Sequence, residues 1–262
     1  MNIEVNGVSL NYRIDGRGDA PWLTFSNSLA TNLSMWDDQV AALKDDYRIL
    51  RYDKRGHGDS KPKAGAYAMA DLVADIVALW DALGIKRTHF VGLSIGGMTA
   101  LGLALDDPAR VATIAVCDSR ADAPGPYREV WEPRIATART QGMAVLAQPT
   151  LDRWFTPGFR ARDKATIERF TKMISDTSVD GYCGCGRALQ NLAYLPHLGR
   201  IKTPTLVLCG LDDQMLDPSR DMAKRIPGAE YVEFGPAGHI ANIEQPEKFT
   251  AAIRGFLARH PM

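Results

Sequence analysis

One short run of the sequence has the residue types of a nucleophilic turn. Gly92-Leu93-Ser94-Ile95-Gly96 follows an apolar stretch, from His89 to Leu93, and precedes a helical pattern that begins at Ile95. Glycines on both sides permit a tight strand-to-helix turn, since a Cβ at either position would collide with a neighbouring strand or helix. Such a turn holds the Ser94 hydroxyl above the sheet. A structural glycine-rich turn would share the pattern, but the legible strand and helix favour Ser94 as a nucleophile that attacks an acyl group.

A serine nucleophile needs a base and a carboxylate that orients the base. Of the five histidines, His239 lies in a loop directly after a predicted strand, so it should reach the same edge of a parallel sheet as Ser94. Asp213 stands three residues beyond Gly210, where another predicted strand ends. We expect Ser94, Asp213 and His239 to form a catalytic triad. The adjacent Asp212 stays open as the acid, because spacing does not define register in a loop.

An acyl-transfer site also needs two N–H donors for the oxyanion. The residue after the nucleophile, Ile95, provides the first from its backbone. The second should come from a loop after an early strand, and Phe25 to Leu29 leaves such a strand in a polar turn. The Leu29 amide is therefore the second predicted donor, although an ordinary loop would have the same composition.

Strands that alternate with helices must position these residues. Asn6-Gly7 is suited to a hairpin turn between Ile3–Val5 and Ser9–Ile14. Helical patterns, among them Met69 to Leu83 and Ile95 to Leu105, then separate most of the later strands, which predicts a mostly parallel, doubly wound α/β sheet. The predicted strands after the hairpin are Trp22–Phe25, Tyr47–Tyr52, His89–Leu93, Val111–Cys117, Thr205–Cys209 and Tyr231–Phe234.

Strand patterns disappear between Asp118 and Pro196, where Arg, Trp, Pro and helix formers dominate. The alternation of strand and helix resumes near Thr203. We therefore predict one core domain, formed by residues 1–119 and 196–262, that is interrupted by a helical cap over residues 120–195. The cap should cover the edge of the sheet that carries Ser94.

Composition excludes several classes of protein. With 31 basic and 31 acidic residues the formal net charge is zero, which does not favour nucleic acid or an anionic membrane as a partner. No apolar run approaches the length of a membrane span and the N-terminus lacks the pattern of a signal peptide, so we expect a cytoplasmic protein. The four cysteines fit neither a disulfide scaffold nor a zinc site, and we expect free thiols and no metal.

With these residues in place, the chain resembles the α/β-hydrolase superfamily over its whole length. The order nucleophile, acid, base of Ser94, Asp213 and His239 is the order found on that fold. Within it, the chain is similar to the 3-oxoadipate enol-lactonases, which share Asn27-Ser28 where many superfamily members have His-Gly. Leu216-Asp217-Pro218 departs from the Thr-Pro-Pro run that is usual in these relatives. The similar runs are Phe25–Trp36, Arg51–Gly58, His89–Met98, Arg153–Pro157 and Gly235–Gln245.

This resemblance implies hydrolysis of 3-oxoadipate enol-lactone to 3-oxoadipate in the bacterial breakdown of aromatic compounds, without a cofactor. The substrate would be a small anionic lactone, so a cation should bind its free carboxylate. Arg134 is the leading candidate, with Trp131 and Trp154 as walls of the pocket. Several other arginines of the cap stay open for this role, namely Arg128, Arg139, Arg153 and Arg160.

Other functions are compatible with the same residues. A broader carboxylesterase or lactonase and a perhydrolase would use the same triad, because the triad defines acyl transfer and leaves the acyl group open. Haloalkane dehalogenases and epoxide hydrolases have an aspartate at the position of Ser94, which argues against both. A non-catalytic receptor on this fold would not need the complete set of Ser, Asp and His.

Overall fold

The computed structural model describes residues 1–262, and its centre is a single eight-stranded sheet. The strand order is β1-β2-β4-β3-β5-β6-β7-β8; β2 runs antiparallel to β1 and β4, and the pairs from β4 to β8 are parallel. The fold is therefore the predicted α/β-hydrolase sheet. The strands are β1 (Asn2–Val5), β2 (Val8–Gly16), β3 (Trp22–Ser26), β4 (Arg48–Tyr52), β5 (Thr88–Leu93), β6 (Val111–Cys117), β7 (Thr205–Gly210) and β8 (Glu230–Phe234).

The hairpin between β1 and β2 has a two-residue turn. Asn6 and Gly7 have φ angles of 50° and 71°, and Val5 pairs with Val8. Positive φ at both central residues is the geometry of the tight hairpin turns that Asn-Gly favours. The two strands pair antiparallel across this turn, as the sequence predicts.

Helices cover both faces of the sheet, and their apolar sides form two cores. On one face, Trp36 lies between Phe25 of β3 and Phe249 of α12. On the other face, Trp80 of α2 packs against Phe90 of β5. The helices are α1 (Asp37–Leu43), α2 (Met69–Ala82), α3 (Ile95–Asp106), α4 (Gly125–Glu129), α5 (Trp131–Gln141), α6 (Ala147–Trp154), α7 (Pro157–Arg162), α8 (Lys164–Asp176), α9 (Val179–Gln190), α10 (Leu216–Arg225), α11 (Ala241–Glu244) and α12 (Pro246–Ala258).

Six helices, α4 to α9, lie between β6 and β7, and an isolated bridge between Asp122 and Ala193 is the one β-pairing in this stretch. Side chains cap the N-termini of three of these helices. Thr156 accepts a hydrogen bond from the Phe159 N–H, Asp163 accepts one from the Thr166 N–H, and Ser178 accepts one from the Gly181 N–H. Such caps satisfy N–H groups that a helix leaves free at its first turn. We call residues 120–195 the insert below.

The insert has no separate core. Trp131, Trp154 and Phe170 are buried in the same hydrophobic cluster as Phe25 of the sheet and Phe249 of α12. All four cysteines of the chain are buried free thiols, as expected. None of the helices combines the length and apolar character that are needed to cross a membrane.

Candidate active site

Ser94 stands at the sharp turn between β5 and α3. Its φ and ψ are 57° and −118°, a conformation that costs a non-glycine residue free energy. Two hydrogen bonds hold this backbone: the Ser94 N–H donates to the Cys117 carbonyl at 2.8 Å, and the Ser119 hydroxyl donates to the Ser94 carbonyl at 2.8 Å. The side chain is partly exposed although its neighbours on both sides are buried. The turn therefore presents a serine hydroxyl to the space above the sheet.

The glycines that flank the turn have no room for a side chain. A Cβ on Gly92 would lie 2.1 Å from the carbonyl oxygen of Gly96, and a Cβ on Gly96 would lie 2.2 Å from the carbonyl oxygen of Ser26. Both obstacles are backbone atoms, which cannot rotate away. The spacing of glycines in the sequence thus follows from close contacts between β5, α3 and β3.

His239 and Asp213 meet on the loops that follow β8 and β7. His239 Nδ1 lies 2.9 Å from Asp213 Oδ2, and the two side chains are 11% and 2% exposed. Asp212, the alternative acid, is exposed and accepts a hydrogen bond from the Ala237 N–H at 3.0 Å instead. The structure therefore brings Asp213 and not Asp212 to the imidazole, and Asp212 holds the loop that carries His239.

A carboxylate that the sequence did not single out also holds this loop. Glu244 is buried and accepts hydrogen bonds from the Gly238 N–H at 3.1 Å, the Thr156 N–H at 2.9 Å and the Thr156 hydroxyl at 2.7 Å. It thereby connects the residue before His239 to the insert. No spacing rule could have found it, because Thr156 and Glu244 are far apart in the sequence.

The loop after β3 carries the predicted second oxyanion donor, Leu29. The Leu29 N–H makes no hydrogen bond within the protein. The Ile95 N–H is in the first turn of α3, where helices leave N–H groups without an internal partner. Both residues lie beside Ser94, since Leu29 lines the same cavity and Ile95 follows Ser94 directly. Two unpaired donors near one hydroxyl are what an oxyanion requires.

Lys54 holds the loop that carries Leu29 by hydrogen bonds to its main chain, a role that the sequence did not reveal. Its ammonium donates to the carbonyl oxygens of Asn27 at 2.5 Å and Ser28 at 3.2 Å. The Asn27 side chain is itself held by the Trp36 indole N–H and by the Tyr52 carbonyl. Burial lowers the pKa of Lys54 to about 8.

His57 is a structural histidine. It is wholly buried, its Nδ1 lies 3.0 Å from the Arg55 carbonyl, and burial together with the Lys54 charge lowers its pKa to about 3. A neutral imidazole in this position fits the loop without a buried charge.

A cavity of about 340 Å³ lies between the edge of the sheet and the insert. Ser94, His239 and Asp213 line it from the sheet side. Trp131 and Trp154, the predicted walls, line it from the insert, and the Trp154 ring lies 6.1 Å from the His239 ring, centre to centre. Other lining residues include Ser28, Leu29, Met98, Arg120, Tyr127, Arg134, Arg153, Tyr182 and Gln214.

Three arginines of the insert reach this cavity, and two of them have no carboxylate partner. Arg120 pairs with Asp122 at 3.1 Å. Arg134 lies over the Trp131 ring at 5.2 Å and makes no ion pair. Arg153 donates only to the Thr150 hydroxyl, and burial and the neighbouring Arg134 charge lower its pKa. Two close, partly desolvated cations without an anion favour a negatively charged ligand.

The other arginines that the sequence left open point elsewhere. Arg128 and Arg139 are exposed and do not line the cavity, and Arg160 pairs with Asp152. Of the four arginines that the sequence left open, Arg153 is therefore the one that lines the cavity beside Arg134.

Comparison with known proteins finds relatives with the same fold. Residues 21–246 match the family model described as alpha/beta hydrolase fold. A 3-oxoadipate enol-lactonase of Acinetobacter baylyi is 37% identical over 254 residues, which are 96% of this chain and 94% of that protein.

Solved structures agree with this similarity. The crystal structure of an enol-lactonase from Burkholderia xenovorans superposes with a TM-score of 0.95 and 41% identity, and the match covers 98% of this chain and 100% of that chain. A thermophilic esterase from Thermogutta terrifontis, solved with malate bound, superposes with a TM-score of 0.91 at 27% identity, over 99% of this chain and 97% of that chain.

Proposed function

The chain belongs to the alpha/beta hydrolase fold family and is an ester or lactone hydrolase, and from that premise we propose that it opens 3-oxoadipate enol-lactone to 3-oxoadipate. The reaction would belong to the breakdown of aromatic compounds in the cytoplasm. The observation that carries the substrate is the pair of unpaired guanidiniums, Arg134 and Arg153, in the cavity that also contains Ser94 and His239. A lactone with a free carboxylate supplies the missing anion.

In the proposed mechanism Ser94 Oγ attacks the lactone carbonyl while His239 accepts the hydroxyl proton. Asp213 orients the imidazole and stabilises its protonated form. The N–H groups of Ile95 and Leu29 donate to the oxyanion of the tetrahedral intermediate. The ring C–O bond then breaks, and the acyl group stays on Ser94.

The leaving oxygen of an enol-lactone makes this step efficient. It departs as an enolate, which is a better leaving group than an alkoxide, and it becomes a ketone by tautomerising. Ring opening is therefore effectively irreversible. A water molecule that gives its proton to His239 then attacks the acyl group and releases the product from Ser94.

The insert is proposed to act as a cap that selects the substrate. Residues 120–195 would form this cap on a core of residues 1–119 and 196–262, with Trp131 and Trp154 as apolar walls. Arg134 is the proposed contact of the substrate carboxylate, and Arg153, on the neighbouring part of the cavity, shares that role. A charge-assisted hydrogen bond to each would fix the orientation of the ring over Ser94.

A spectrophotometric assay of enol-lactone loss tests this proposal. We expect the catalytic efficiency on the enol-lactone to exceed that on a neutral aryl ester with an equally good leaving group. Equal or reversed efficiencies would instead support the second candidate, a broad carboxylesterase, which the similarity to the malate-bound esterase favours.

A further inference from the structure

A second buried carboxyl lies beside Asp213. Asp118 follows β6 directly, is wholly buried, and has a φ angle of 48°, which is unusual for a residue with a side chain. Because β6 and β7 are neighbours in the sheet, this turn brings the Asp118 carboxyl under the loop that starts at Gly210. Asp118 Oδ1 accepts a hydrogen bond from the Gly210 N–H at 2.9 Å.

The other oxygen of this carboxyl is unsatisfied. Asp118 Oδ2 is buried and has no hydrogen-bond partner. A carboxyl oxygen of Asp118, one of Asp213 and the Cys209 sulfur all lie within 4.8 Å of one another. An ionised carboxylate would leave a buried charged oxygen without a donor, which is costly. A protonated carboxyl at this place has a donor to offer and an acceptor in Asp213.

The surroundings contain no cation that could stabilise two negative charges. The groups that face Asp118 are the thiols of Cys117 and Cys209, the Gly210 N–H and the Asp213 carboxyl, and the Ser219 hydroxyl lies next to Cys209. His239 contacts Asp213 Oδ2. Two carboxyls this close in a buried site do not both ionise. Burial and the Asp213 charge raise the pKa of Asp118 well above its usual value.

We propose that Asp118 is a positioning residue that stays protonated and donates a hydrogen bond from Oδ2 to Asp213, which keeps the Asp213 carboxylate directed at His239. The inference rests on the proposed roles of Asp213 and His239. Apart from the imidazole, the one other side-chain donor to Asp213 is the Cys209 thiol, at 3.8 Å. A thiol is a weak donor, so the Asp118 hydroxyl would be the main partner that restrains rotation of Asp213.

Three variants separate positioning from mere packing. Asp118→Asn keeps a neutral donor and an acceptor, Asp118→Ala removes both, and Cys117→Ala opens a cavity next to Asp118 but keeps both carboxyls. With an aryl acetate as substrate, we expect Asp118→Asn to keep kcat within about threefold. Asp118→Ala should lose kcat on the order of ten- to a hundredfold with little change in KM, as when outer partners of metal ligands are removed. Equal kcat values for Asp118→Ala and Cys117→Ala would overturn the inference.

The pH profile tests the charge. If Asp118 is neutral, Asp118→Asn leaves the acid limb of kcat/KM at the pH of the parent. An ionised Asp118 would stabilise the His239 imidazolium, so its replacement by Asn would move the limb to lower pH, and that shift would refute the proposal.

Infrared spectroscopy gives a readout that does not depend on activity. At neutral pH the parent and Cys117→Ala should show the C=O stretch of a buried carboxylic acid that Asp118→Asn lacks; its absence from the parent contradicts the inference even if Asp118→Ala fails to fold. The variant Asp213→Asn shows whether a negative result concerns the proposed function or only the role of Asp118. Full turnover in Asp213→Asn would overturn the proposed function, whereas a slow Asp213→Asn beside a fast Asp118→Ala would overturn only the role of Asp118.

Discussion

The edge of the sheet and the insert line the same cavity, but they differ in whether the charged side chains that face it have partners. At the edge, the ionisable side chains have partners: Asp213 with His239, Lys54 with the loop carbonyls, and Glu244 with the Gly238 N–H. In the insert, Arg134 and Arg153 face the cavity without a carboxylate partner. On the outer surface of the insert, Arg187 pairs with Glu132 and Arg160 pairs with Asp152.

This difference separates two tasks. A preorganised edge stabilises charge that develops during reaction, because its donors need not rearrange. Unpaired cations cost free energy in the empty cavity and recover it only when an anion binds. We therefore expect changes at the edge to alter turnover on every substrate, and changes in the insert to alter the choice between substrates. The predictions below test that division, from the largest effect to the smallest.

Ser94→Ala should have the largest effect. It removes the nucleophile, and turnover of both the enol-lactone and an aryl ester should fall on the order of a million-fold while the melting temperature stays near that of the parent. Steady-state kinetics of the purified variant check this. Activity within tenfold of the parent would exclude Ser94 as the nucleophile.

Asp213→Asn should have the second largest effect. The amide cannot hold His239 in the correct tautomer, so kcat should fall by about four powers of ten on both substrates. Asp212→Asn is the matched control and should cost little, because Asp212 accepts only the Ala237 N–H. The reverse ranking of these two variants would transfer the acid's role to Asp212.

Arg134→Ala tests the insert. Loss of a charge-assisted hydrogen bond should reduce kcat/KM on the enol-lactone by about ten- to a hundredfold and leave a neutral ester unaffected. Arg153→Ala should act in the same direction. The ratio of the two efficiencies is the informative quantity, since a folding defect lowers both together. An unchanged ratio in both variants would remove the insert arginines from substrate recognition.

Lys54→Met sharpens the description of the edge. Methionine has a similar length but no donor, so the Asn27 and Ser28 carbonyls lose their partner and the Leu29 N–H is less well held. We expect kcat to fall by about tenfold on both substrates, less than the loss of an oxyanion donor itself. Since the pKa of Lys54 is about 8, the parent loses this charge above that pH, and the difference between parent and variant should narrow there. A constant difference from pH 7 to 9.5 would contradict the role of the ammonium.

Arg187→Ala should have the smallest effect and serves as the control for the insert. Its ion pair with Glu132 is on the surface, where such pairs contribute little. Efficiencies on both substrates should stay within about twofold of the parent. A selective loss on the enol-lactone would show that a paired surface arginine of the insert also affects recognition, which contradicts the proposed division.

The sequence predicted most of the secondary structure and part of the candidate site. The strand and helix patterns gave the sheet, and β5 to α3 matched almost residue for residue, because apolar periodicity and glycine spacing are local signals. Ser94, Asp213 and His239 could be chosen from the sequence because the loops that follow parallel strands lie at the same edge of the sheet. Lys54, Glu244 and Asp118 could not, since their partners are distant in sequence and a hydrogen bond between remote side chains leaves no periodic trace. Arg153 was one of several candidate arginines in the insert, and no local pattern separates it from Arg128, Arg139 and Arg160.

The contact of Gly96 with the Ser26 carbonyl has a consequence for redesign. Because main chain touches main chain there, the separation between the nucleophile's turn and the loop that carries Leu29 is set by the thickness of two backbones. Substitutions in the insert cannot change that separation. This main-chain contact therefore fixes the distance between the attacking Ser94 oxygen and the amide donors. We expect that α5 and α6 can be redesigned to accept other acyl groups without changing that distance.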